Sequence, residues 1–429
     1  METLKLPSMQ DLYNGRTIFV TGSSGFLGKV LVEKMLYSLP GVERIYILIR
    51  GSNGSTAAAR WKQLEQRVLF NRIRRECPER LSKLIPVQGD IGLSDLGLSH
   101  SDLQRILAET SMVFHLAATV RFNAPLKEAV ELNVEGAARV ISLCHRMPKL
   151  ESYLHCSTAY VNSDRRWTIV EEKLYPPPCD PHVLIQAKNS MESSLFESIG
   201  IGATEKYGNT YCFTKCVAEH LVVKEAADLP AIIFRPAVVL GIWKDGIPGW
   251  SDAFQGSAAL TALFCTGALA RIPVDVNSHC DGVPVDMASA AILACAAYRV
   301  SMSGKSIPIV HCNSSSLNPI AHKDFLSSAV ELVFKYPFEN MLATPVLSHL
   351  GSDTVERSMH HFREKYVGPA MDKVLVLAGQ KPFFGRLYER VNEAYVMFYR
   401  FLSGHVFRTN NLIHLIDMMT EEDKEVCEL

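Results

Sequence analysis

Short apolar runs alternate with longer amphipathic stretches over the first 240 residues of the chain. Each apolar run is nearly continuous, as parallel strands buried on both faces require. The predicted strands are Thr17–Val20, Arg44–Ile49, Leu84–Gln88, Met112–Ala117, Ser152–Cys156 and Ala231–Phe234. Helical spacing of apolar residues predicts helices over Leu27–Leu36, Ala59–Arg75, Leu103–Leu107, Lys127–Cys144 and Phe213–Ala227. The alternation predicts an α/β fold, a Rossmann-type doubly wound parallel sheet that binds its ligand at the carboxyl ends of the strands.

Three parts of the chain depart from this alternation. Residues 162–206 contain the Pro176-Pro177-Pro178 run but no clean strand, and we interpret them as an insertion that shapes a binding site. Residues 241–250 are rich in Gly, Pro and Trp and precede an apolar, small-residue run, Ser257–Ala270. From about residue 330 the pattern becomes aromatic and helical. We therefore predict a main domain over residues 12–330 and a C-terminal helical region over residues 331–429.

Composition and charge narrow the class of ligand. The 429 residues are 48% hydrophobic, and 44 Lys and Arg nearly balance 45 Asp and Glu. Because the charges balance, the protein has no overall positive field that would attract nucleic acid, and a small ligand at a local site is expected. The eleven cysteines include no Cys-x-x-Cys pair, which argues against a zinc ribbon or a disulfide framework, and no metal site is expected. No apolar run reaches the roughly 20 residues of a membrane-spanning helix.

A glycine-rich turn joins the first predicted strand to the first predicted helix. It reads TGSSGFLG, from Thr21 to Gly28. Gly22 suits a tight turn, Gly25 a close approach of the backbone to a pyrophosphate, and Gly28 close packing of helix on strand. The amide groups at the helix start favour an anion. The positions predicted to hold a dinucleotide here are Thr21, Gly22, Ser24, Gly25, Phe26, Leu27 and Gly28.

Further cofactor positions follow the next strands. Arg50 ends the second strand, where an NAD-specific site more often has an acid, and its guanidinium suits a 2′-phosphate. This favours NADPH. Asp90 and Ile91 follow the third strand and Ala117 and Ala118 the fourth, where they would line the adenine and the nicotinamide ribose. Asp90 is also explained as a helix cap.

Tyr211 and Lys215 lie four residues apart on a predicted helix, and so on one face of it. An ammonium beneath a phenol lowers the pKa of the phenol and binds the nicotinamide ribose, which makes the tyrosine a proton donor to a carbonyl oxygen. A second hydroxyl is expected where HCSTAYVN ends the fifth strand. We favour Thr158 and keep Ser157 as the alternative. His155 and Cys156 are interpreted as core residues.

Several blocks of the chain, taken in order, resemble the fatty acyl-CoA reductase family of the extended short-chain dehydrogenase/reductases. Besides TGSSGFLGKVLVEKML from Thr21, they are VQGDI from Val87, HLAATVRFNAPLKEAVELNVEG from His115, HCSTAYVN from His155, NTYCFTKCVAEHLV from Asn209, RPAVVLGIWKDGIPGW from Arg235, VPVDM from Val283 and HCNSSSLNPI from His311. Residues 385–425 are similar to the helical region of these reductases. Many members continue into an apolar, membrane-anchoring tail, whereas this chain ends at Leu429.

The resemblance implies NADPH-dependent reduction of a long-chain acyl-CoA, through a bound aldehyde, to a primary fatty alcohol. It implies an enzyme at the cytoplasmic face of peroxisomal or endoplasmic reticulum membranes, with peripheral membrane contact and no nucleic acid partner. By position it assigns the catalytic pair to Tyr211 and Lys215 and the hydroxyl to Ser157 or Thr158. Two other interpretations stay open: another extended reductase, acting on sterols or nucleotide sugars, and a non-catalytic NADP-sensing scaffold.

Two stretches have a double interpretation. The basic stretch Arg60–Lys83 is interpreted as a solvated helix, with contact to the phosphates of CoA as the alternative. The run Ser257–Ala270 is either a wall of an acyl tunnel or a packed helix.

Overall fold

A computed structural model defines the fold. It describes residues 6–51, 54–165, 168–252, 256–267, 278–302, 304, 306–339, 341–342, 344–345, 358, 361–389 and 405–427. In these ranges the strands are β1 (Thr17–Thr21), β2 (Arg44–Ile49), β3 (Leu84–Gln88), β4 (Met112–His115), β5 (Ser152–Cys156), β6 (Thr168–Val170), β7 (Ala231–Pro236), β8 (Val238–Leu240), β9 (His279–Cys280), β10 (Gly282–Pro284), β11 (Ile309–Cys312), β12 (Ile320–Ala321) and β13 (His405–Phe407).

The helices cover the faces and ends of the sheet. They are α1 (Met9–Tyr13), α2 (Phe26–Ser38), α3 (Ala57–Glu65), α4 (Asn71–Glu76), α5 (His100–Glu109), α6 (Leu126–Ala129), α7 (Gly136–Cys144), α8 (Pro181–Ser190), α9 (Ser193–Glu205), α10 (Thr210–Glu225), α11 (Gly256–Cys265), α12 (Val285–Ser301), α13 (His322–Lys335), α14 (Gly368–Leu377), α15 (Asn410–Met418) and α16 (Glu421–Cys427). Short 3-10 turns occur at Val68–Phe70, Pro78–Lys83, Ser94–Gly97 and Ala159–Asn162, and π-helical turns at Val130–Glu135 and Arg363–Val367. No described helix has both the length and the apolar character needed to cross a lipid bilayer.

Seven strands form one parallel sheet in the order β11-β7-β5-β4-β1-β2-β3. The strand order reverses between β1 and β4, because the chain winds outward from β1 through β2 and β3 and then returns to the other side. In doubly wound sheets this reversal is where ligands bind. The six predicted strands are confirmed to within two residues at each end, and so is the doubly wound parallel fold.

Each face of the sheet has its own core. On one face the even-numbered residues of β1, Ile18 and Val20, pack with α2 and α12 in a cluster that includes Val32 and Ile292. On the other face, Phe19 packs with side chains of α5, α7 and α10. Burial of both faces explains why the strands are continuous apolar runs rather than alternating ones.

The structure differs from the predicted elements in several places. The seventh strand, β11, was missed, and the insertion at 162–206 contains the short strand β6, which was not predicted, as well as helices α8 and α9. The single helix predicted over Ala59–Arg75 was wrong, because α3 ends at Glu65 and α4 starts at Asn71. The Arg74 guanidinium donates to the carbonyl oxygens of Glu65 and Arg67 and so satisfies carbonyl groups at the end of α3.

The final described segment, residues 405–427, packs against the sheet domain. β13 pairs with β6 in parallel, and Leu412, Leu415 and Met419 belong to the same core cluster as α2 and α12. The Asn411 side chain donates to the carbonyl oxygen of Ile309 at 2.7 Å. Residues 390–404, which include the whole aromatic stretch YVMFYRFLSG, lie outside the described residues. The division of the chain at residue 330 stays a prediction.

Candidate active site

The glycine turn lies where the sheet changes direction. Gly22 has a φ of +78°, and a Cβ atom at this position would lie 2.6 Å from the amide nitrogen of Ala117, which follows β4. A Cβ on Gly28 would lie 2.8 Å from the carbonyl carbon of Gly22. Both positions therefore require glycine for steric reasons. Gly25 is the N-terminal cap of α2 and offers no side-chain cap, so the first amide groups of this helix keep their capacity for an anion.

Thr21 connects this turn to the end of β4. Its hydroxyl oxygen accepts a hydrogen bond from the amide of Ala117 at 3.2 Å and lies 2.8 Å from Nδ1 of His115. Thr21 and His115 are also paired in register across β1 and β4. The ends of β1 and β4 are thus joined by side-chain hydrogen bonds as well as by their backbone pairing, beside the predicted pyrophosphate position.

The other predicted cofactor positions also lie at the carboxyl ends of the strands. Arg50 is exposed at the end of β2. Asp90, just after β3, is half-buried, and its Oδ1 accepts from the amide of Gly92 at 2.9 Å, so it caps a turn rather than a helix. Ile91 is 6% exposed, whereas Ala118 is half-buried beside Ala117. All of them follow carboxyl ends of strands on the side where the dinucleotide is expected.

Tyr211 lies in the first turn of α10, which begins after Asn209. The Asn209 side chain accepts from the amide of Cys212 at 2.8 Å and so fixes the start of this helix. The side chain of Thr158 faces the Tyr211 hydroxyl and favours its ionised form. Burial raises the pKa of Tyr211 and has the larger effect, so the phenol keeps its proton. Lys215 was predicted to lower this pKa, but the charges that act on the phenol are those of Cys212 and Cys156, which raise it.

The two candidate hydroxyls after β5 have different surroundings. Thr158 is 4% exposed, and its Oγ1 meets Tyr211 and lies 3.5 Å from the carbonyl oxygen of Pro236. The Oγ of Ser157 is buried without a hydrogen-bond partner in the described part of the chain. The structure therefore brings Thr158, and not Ser157, to Tyr211. A buried hydroxyl without a partner can still bind a ligand, so Ser157 remains the alternative.

Lys215 is 2% exposed and lies one helical turn after Tyr211. Its Nζ donates to the carbonyl oxygen of Cys156 at 2.7 Å and lies 3.3 Å from Nε2 of His155. Burial lowers the pKa of Lys215 and raises that of the Cys156 thiol to about 11, so the thiol stays protonated. The lysine is thus anchored to the end of β5.

One buried residue of this site was missed by the sequence argument. Asn133 lies in the π-helical turn Val130–Glu135 and is 1% exposed. Its side chain accepts from the amide of Thr119 at 2.8 Å and donates to Thr214, the neighbour of Lys215, at 3.0 Å. It therefore connects the loop after β4 to α10, and in that loop the Phe122 ring lies 5.7 Å from the ring of Tyr211. The π turn that places Asn133, between α6 and α7, has no clear signal in the sequence.

Residues 241–252 pack against the start of α2. The Trp250 ring lies 5.9 Å from that of Phe26, and Asp252 pairs with Lys29 and Arg67. Three consecutive amides, from Trp243 to Asp245, donate to the carboxylate of Asp286 on α12 at 2.9–3.1 Å. This stretch, which is rich in Gly, Pro and Trp, thus forms a loop that is held over the beginning of α2.

The basic stretch is largely occupied by contacts within the protein. Arg72 binds the buried Glu33 with two hydrogen bonds of 2.5 and 2.7 Å, and also binds Asp245. Arg80 and Lys83 donate to backbone carbonyl oxygens between residues 36 and 42. The interpretation as a solvated helix is therefore wrong for Arg72, Arg80 and Lys83, which hold α2 and neighbouring segments in place, whereas Arg75 is solvent-exposed. No group of three or more His, Cys, Asp or Glu suited to a metal ion occurs among the described residues.

Comparison with known proteins identifies relatives over nearly the whole chain. The profile of a family described as male sterility protein matches residues 20–292. Fatty acyl-CoA reductase 1 of Rattus norvegicus is 34% identical over 97% of this chain and 81% of its own length. The protein of the same name from Homo sapiens is 33% identical over the same shares. Fatty acyl-CoA reductase 2 of Mus musculus is 32% identical over 96% of this chain and 80% of its own length.

Solved structures show the same fold. The terminal reductase domain of the myxalamid biosynthetic pathway has a TM-score of 0.65 at 22% identity, over 94% of this chain and 85% of its own. The reductase domain of a non-ribosomal peptide synthetase from Mycobacterium tuberculosis has a TM-score of 0.60 at 18% identity, over 98% and 89%. At these identities the likeness concerns the fold.

Proposed function

We propose, since the chain belongs to the fatty acyl-CoA reductase family, that it reduces a long-chain fatty acyl-CoA with NADPH, through a bound aldehyde, to a primary fatty alcohol. It is an oxidoreductase with the extended short-chain dehydrogenase/reductase fold, and its relatives support fatty acyl-CoA reduction in general. The observation that carries the finer proposal is that the Thr158 side chain faces the Tyr211 hydroxyl, one helical turn from Lys215 and at the strand ends beside the glycine turn.

The residues around the glycine turn fit a dinucleotide. A Cβ atom at Gly22 or Gly28 would collide with the backbone, so the turn stays narrow, and α2 begins without a side-chain cap. Its first amide groups would hold the pyrophosphate. Arg50, exposed at the end of β2, would pair with a 2′-phosphate, which is the reason for proposing NADPH. Bound there, the nicotinamide cofactor supplies hydride to the substrate carbonyl carbon.

The hydroxyls of Thr158 and Tyr211 bind the carbonyl oxygen of the thioester and stabilise the negative charge that develops on it. Tyr211 keeps its proton because burial raises its pKa, and it transfers this proton to the oxygen. Lys215, held at the end of β5 and one helical turn from Tyr211, would stabilise the phenolate that remains. In this proposal Thr158 binds the carbonyl oxygen, Tyr211 donates the proton to it, and Lys215 stabilises the phenolate.

The hemithioacetal then collapses within the same site. Its oxygen returns the proton to Tyr211, the carbon–sulfur bond breaks, and CoA leaves as thiolate and takes a proton from water. The aldehyde carbonyl remains where the thioester carbonyl was. After the oxidised cofactor is exchanged for a second NADPH, which supplies the second hydride, a second proton from Tyr211 completes the alcohol. Because both reductions need an acid at the same oxygen, one set of residues performs both.

The alkyl chain needs an apolar surface near this site. We propose that the small-residue helix α11 and the C-terminal region provide it. Phe264 and Cys265 of α11 pack with Leu326 and Val333 of α13 in a separate small core. Residues 268–270, the end of the predicted apolar run, lie outside the described residues. Peripheral contact with a peroxisomal or endoplasmic reticulum membrane, from the cytoplasmic face, belongs to the same proposal.

A product analysis tests the proposed function. Purified protein is incubated with NADPH and palmitoyl-CoA, and loss of NADPH absorbance is followed while products are identified by mass spectrometry. Fatty alcohol is expected, with two NADPH oxidised for each CoA released. One NADPH for each CoA, with free aldehyde, would overturn the bound-aldehyde route. Unreacted thioester across a range of chain lengths, from protein that binds NADPH, would overturn the reductase proposal and favour the sensing scaffold.

A further inference from the structure

Three polar side chains form a row across neighbouring strands beneath the site. Thr21 of β1, His115 of β4 and His155 of β5 are paired in register, and each is at most 1% exposed. Thr21 Oγ1 lies 2.8 Å from Nδ1 of His115, and the rings of His115 and His155 have centroids 5.4 Å apart. The row runs from the residue before Gly22 to Lys215, whose Nζ lies 3.3 Å from Nε2 of His155.

The hydrogen bonds determine which nitrogen of His155 has the proton. An ammonium donates and cannot accept, so Nε2 of His155 must present its lone pair to Lys215. The proton is then on Nδ1, which lies 3.4 Å from the hydroxyl oxygen of Tyr153. Lys215 has three N–H groups, and His155 and the carbonyl oxygen of Cys156 accept two of them. No acceptor for the third occurs among the residues that the structure describes, so it is available to a ligand.

The surroundings of Lys215 keep both histidines uncharged. Burial, followed by the positive charge of Lys215, lowers the pKa of His115 to about 3 and that of His155 well below its usual value. The titratable groups that face Lys215 are His155 and Cys156 from β5, His115 from β4, and Glu219 from its own helix. Of these, Glu219 is already bound to Arg235 by hydrogen bonds of 2.8 and 2.5 Å. The neutral imidazole of His155 is therefore the side-chain acceptor that Lys215 meets.

We propose that His155 is a positioning residue for the reaction: its Nε2 holds Lys215 so that the third N–H of the ammonium faces the cofactor. This inference rests on the proposed function. His155 acts through Lys215 and has no contact of its own with substrate. It also stabilises the charged form of the lysine, because loss of the acceptor would leave a buried ammonium with only the Cys156 carbonyl.

Two substitutions at this position separate positioning from packing. In His155→Gln the side-chain amide oxygen can take the place of Nε2, whereas His155→Leu fills the space without an acceptor. We expect His155→Leu to lower kcat by about tenfold and to leave the KM for palmitoyl-CoA nearly unchanged. We expect the alkaline limb of the kcat profile to move to lower pH by about one unit, since Lys215 loses its proton more easily. His155→Gln should restore both.

A double-mutant cycle on NADPH binding provides a readout that needs no turnover. His155→Leu should weaken NADPH binding several-fold in the otherwise unchanged protein, but should add nothing in a Lys215→Ala background. His311→Gln, at a buried histidine of β11, is the matched control and should leave NADPH binding and the pH profile unchanged. Thermal unfolding of each variant shows whether it folds, and His155→Gln keeps the test valid if His155→Leu does not.

The outcomes for the two proposals differ. If His155→Leu matches the unchanged protein in pH profile and NADPH binding, or if His155→Gln is as impaired as His155→Leu, the positioning role is overturned. Equal effects of His155→Leu with and without Lys215 would also overturn it. Protein that binds NADPH but leaves acyl-CoA unreacted would overturn the reductase proposal instead, and the binding cycle would still decide the role of His155.

Discussion

Gly28 lies so close to Gly22 that a Cβ atom on Gly28 would be 2.8 Å from the carbonyl carbon of Gly22 and in closer collision with its oxygen. The first turn of α2 therefore rests directly on the turn that leaves β1. Since the colliding atoms are backbone, no side-chain rotation can relieve the contact. The dimensions of the glycine turn therefore require that residue 28 has no Cβ atom.

Gly28→Ala tests this relationship. The methyl group would push α2 away from the turn and displace its first amide groups, so NADPH affinity should fall by at least about tenfold. Isothermal titration with NADPH measures this. Gly202→Ala is the matched control, because a Cβ at that helical position meets no heavy atom within 4 Å. NADPH binding by Gly28→Ala equal to that of the control would place the pyrophosphate elsewhere.

Replacement of Arg50 tests the cofactor preference. Arg50→Asp removes the proposed partner of the 2′-phosphate and adds a repulsive charge, so NADPH affinity should fall by about tenfold or more while NADH affinity changes little. Lys149→Asp makes the same charge change at an exposed residue that precedes β5, at the amino ends of the strands and away from the glycine turn. An NADPH dissociation constant that is the same in both variants would remove Arg50 from the site.

The proton donor is tested by removing single hydroxyl groups. Tyr211→Phe should lower kcat by at least about a thousandfold and leave NADPH binding nearly intact, because the ring remains and only the acid is lost. Thr158→Val should lower kcat more than Ser157→Ala, since Thr158 is the one that meets Tyr211. Single-turnover reduction of palmitoyl-CoA distinguishes them. The reverse order would assign the carbonyl contact to Ser157, whose hydroxyl is buried without a described partner.

Shortening single side chains in residues 405–427 tests how much this segment contributes to the main core. Leu415 is 1% exposed and belongs to the cluster beneath α12. Leu415→Ala should lower the free energy of unfolding by about 2–5 kcal/mol. Val406→Ala, at a residue 36% exposed in the same segment, should change it by less than about 1 kcal/mol. Urea unfolding of both variants provides the comparison, and equal small effects would show that residues 405–427 fold apart from the sheet domain.

The buried histidines predict a loss of stability in acid. His115 has a pKa of about 3 when folded, against about 6.5 when unfolded. Between these values the unfolded chain binds a proton that the folded chain does not, so the free energy of unfolding falls as pH decreases from about 6.5 toward 3. His115→Gln removes this contribution. The stability difference between the unchanged protein and this variant should therefore be smaller at pH 4.5 than at pH 7.5, by urea unfolding, and a constant difference would contradict it.

The sequence by itself determined the features that depend on neighbours along the chain. Continuous apolar runs identified β1 to β5 and β7. A strand that is buried on both faces is apolar along its whole length, so its own sequence is enough to predict it. The glycine turn and the pair Tyr211 and Lys215 were readable for the same reason, since a tight turn and one helical turn are set by local spacing. The catalytic and cofactor roles of these residues stay predictions.

Only the tertiary structure decided which distant groups meet. The partners Lys215 and His155 are 60 residues apart, and Asn133 reaches Thr214 only because the π turn places it there. β11 is short and becomes the seventh strand by pairing with β7. Such contacts follow from the packing of whole elements. The spacing of residues along one strand or helix does not indicate which side chain of a neighbouring element lies opposite.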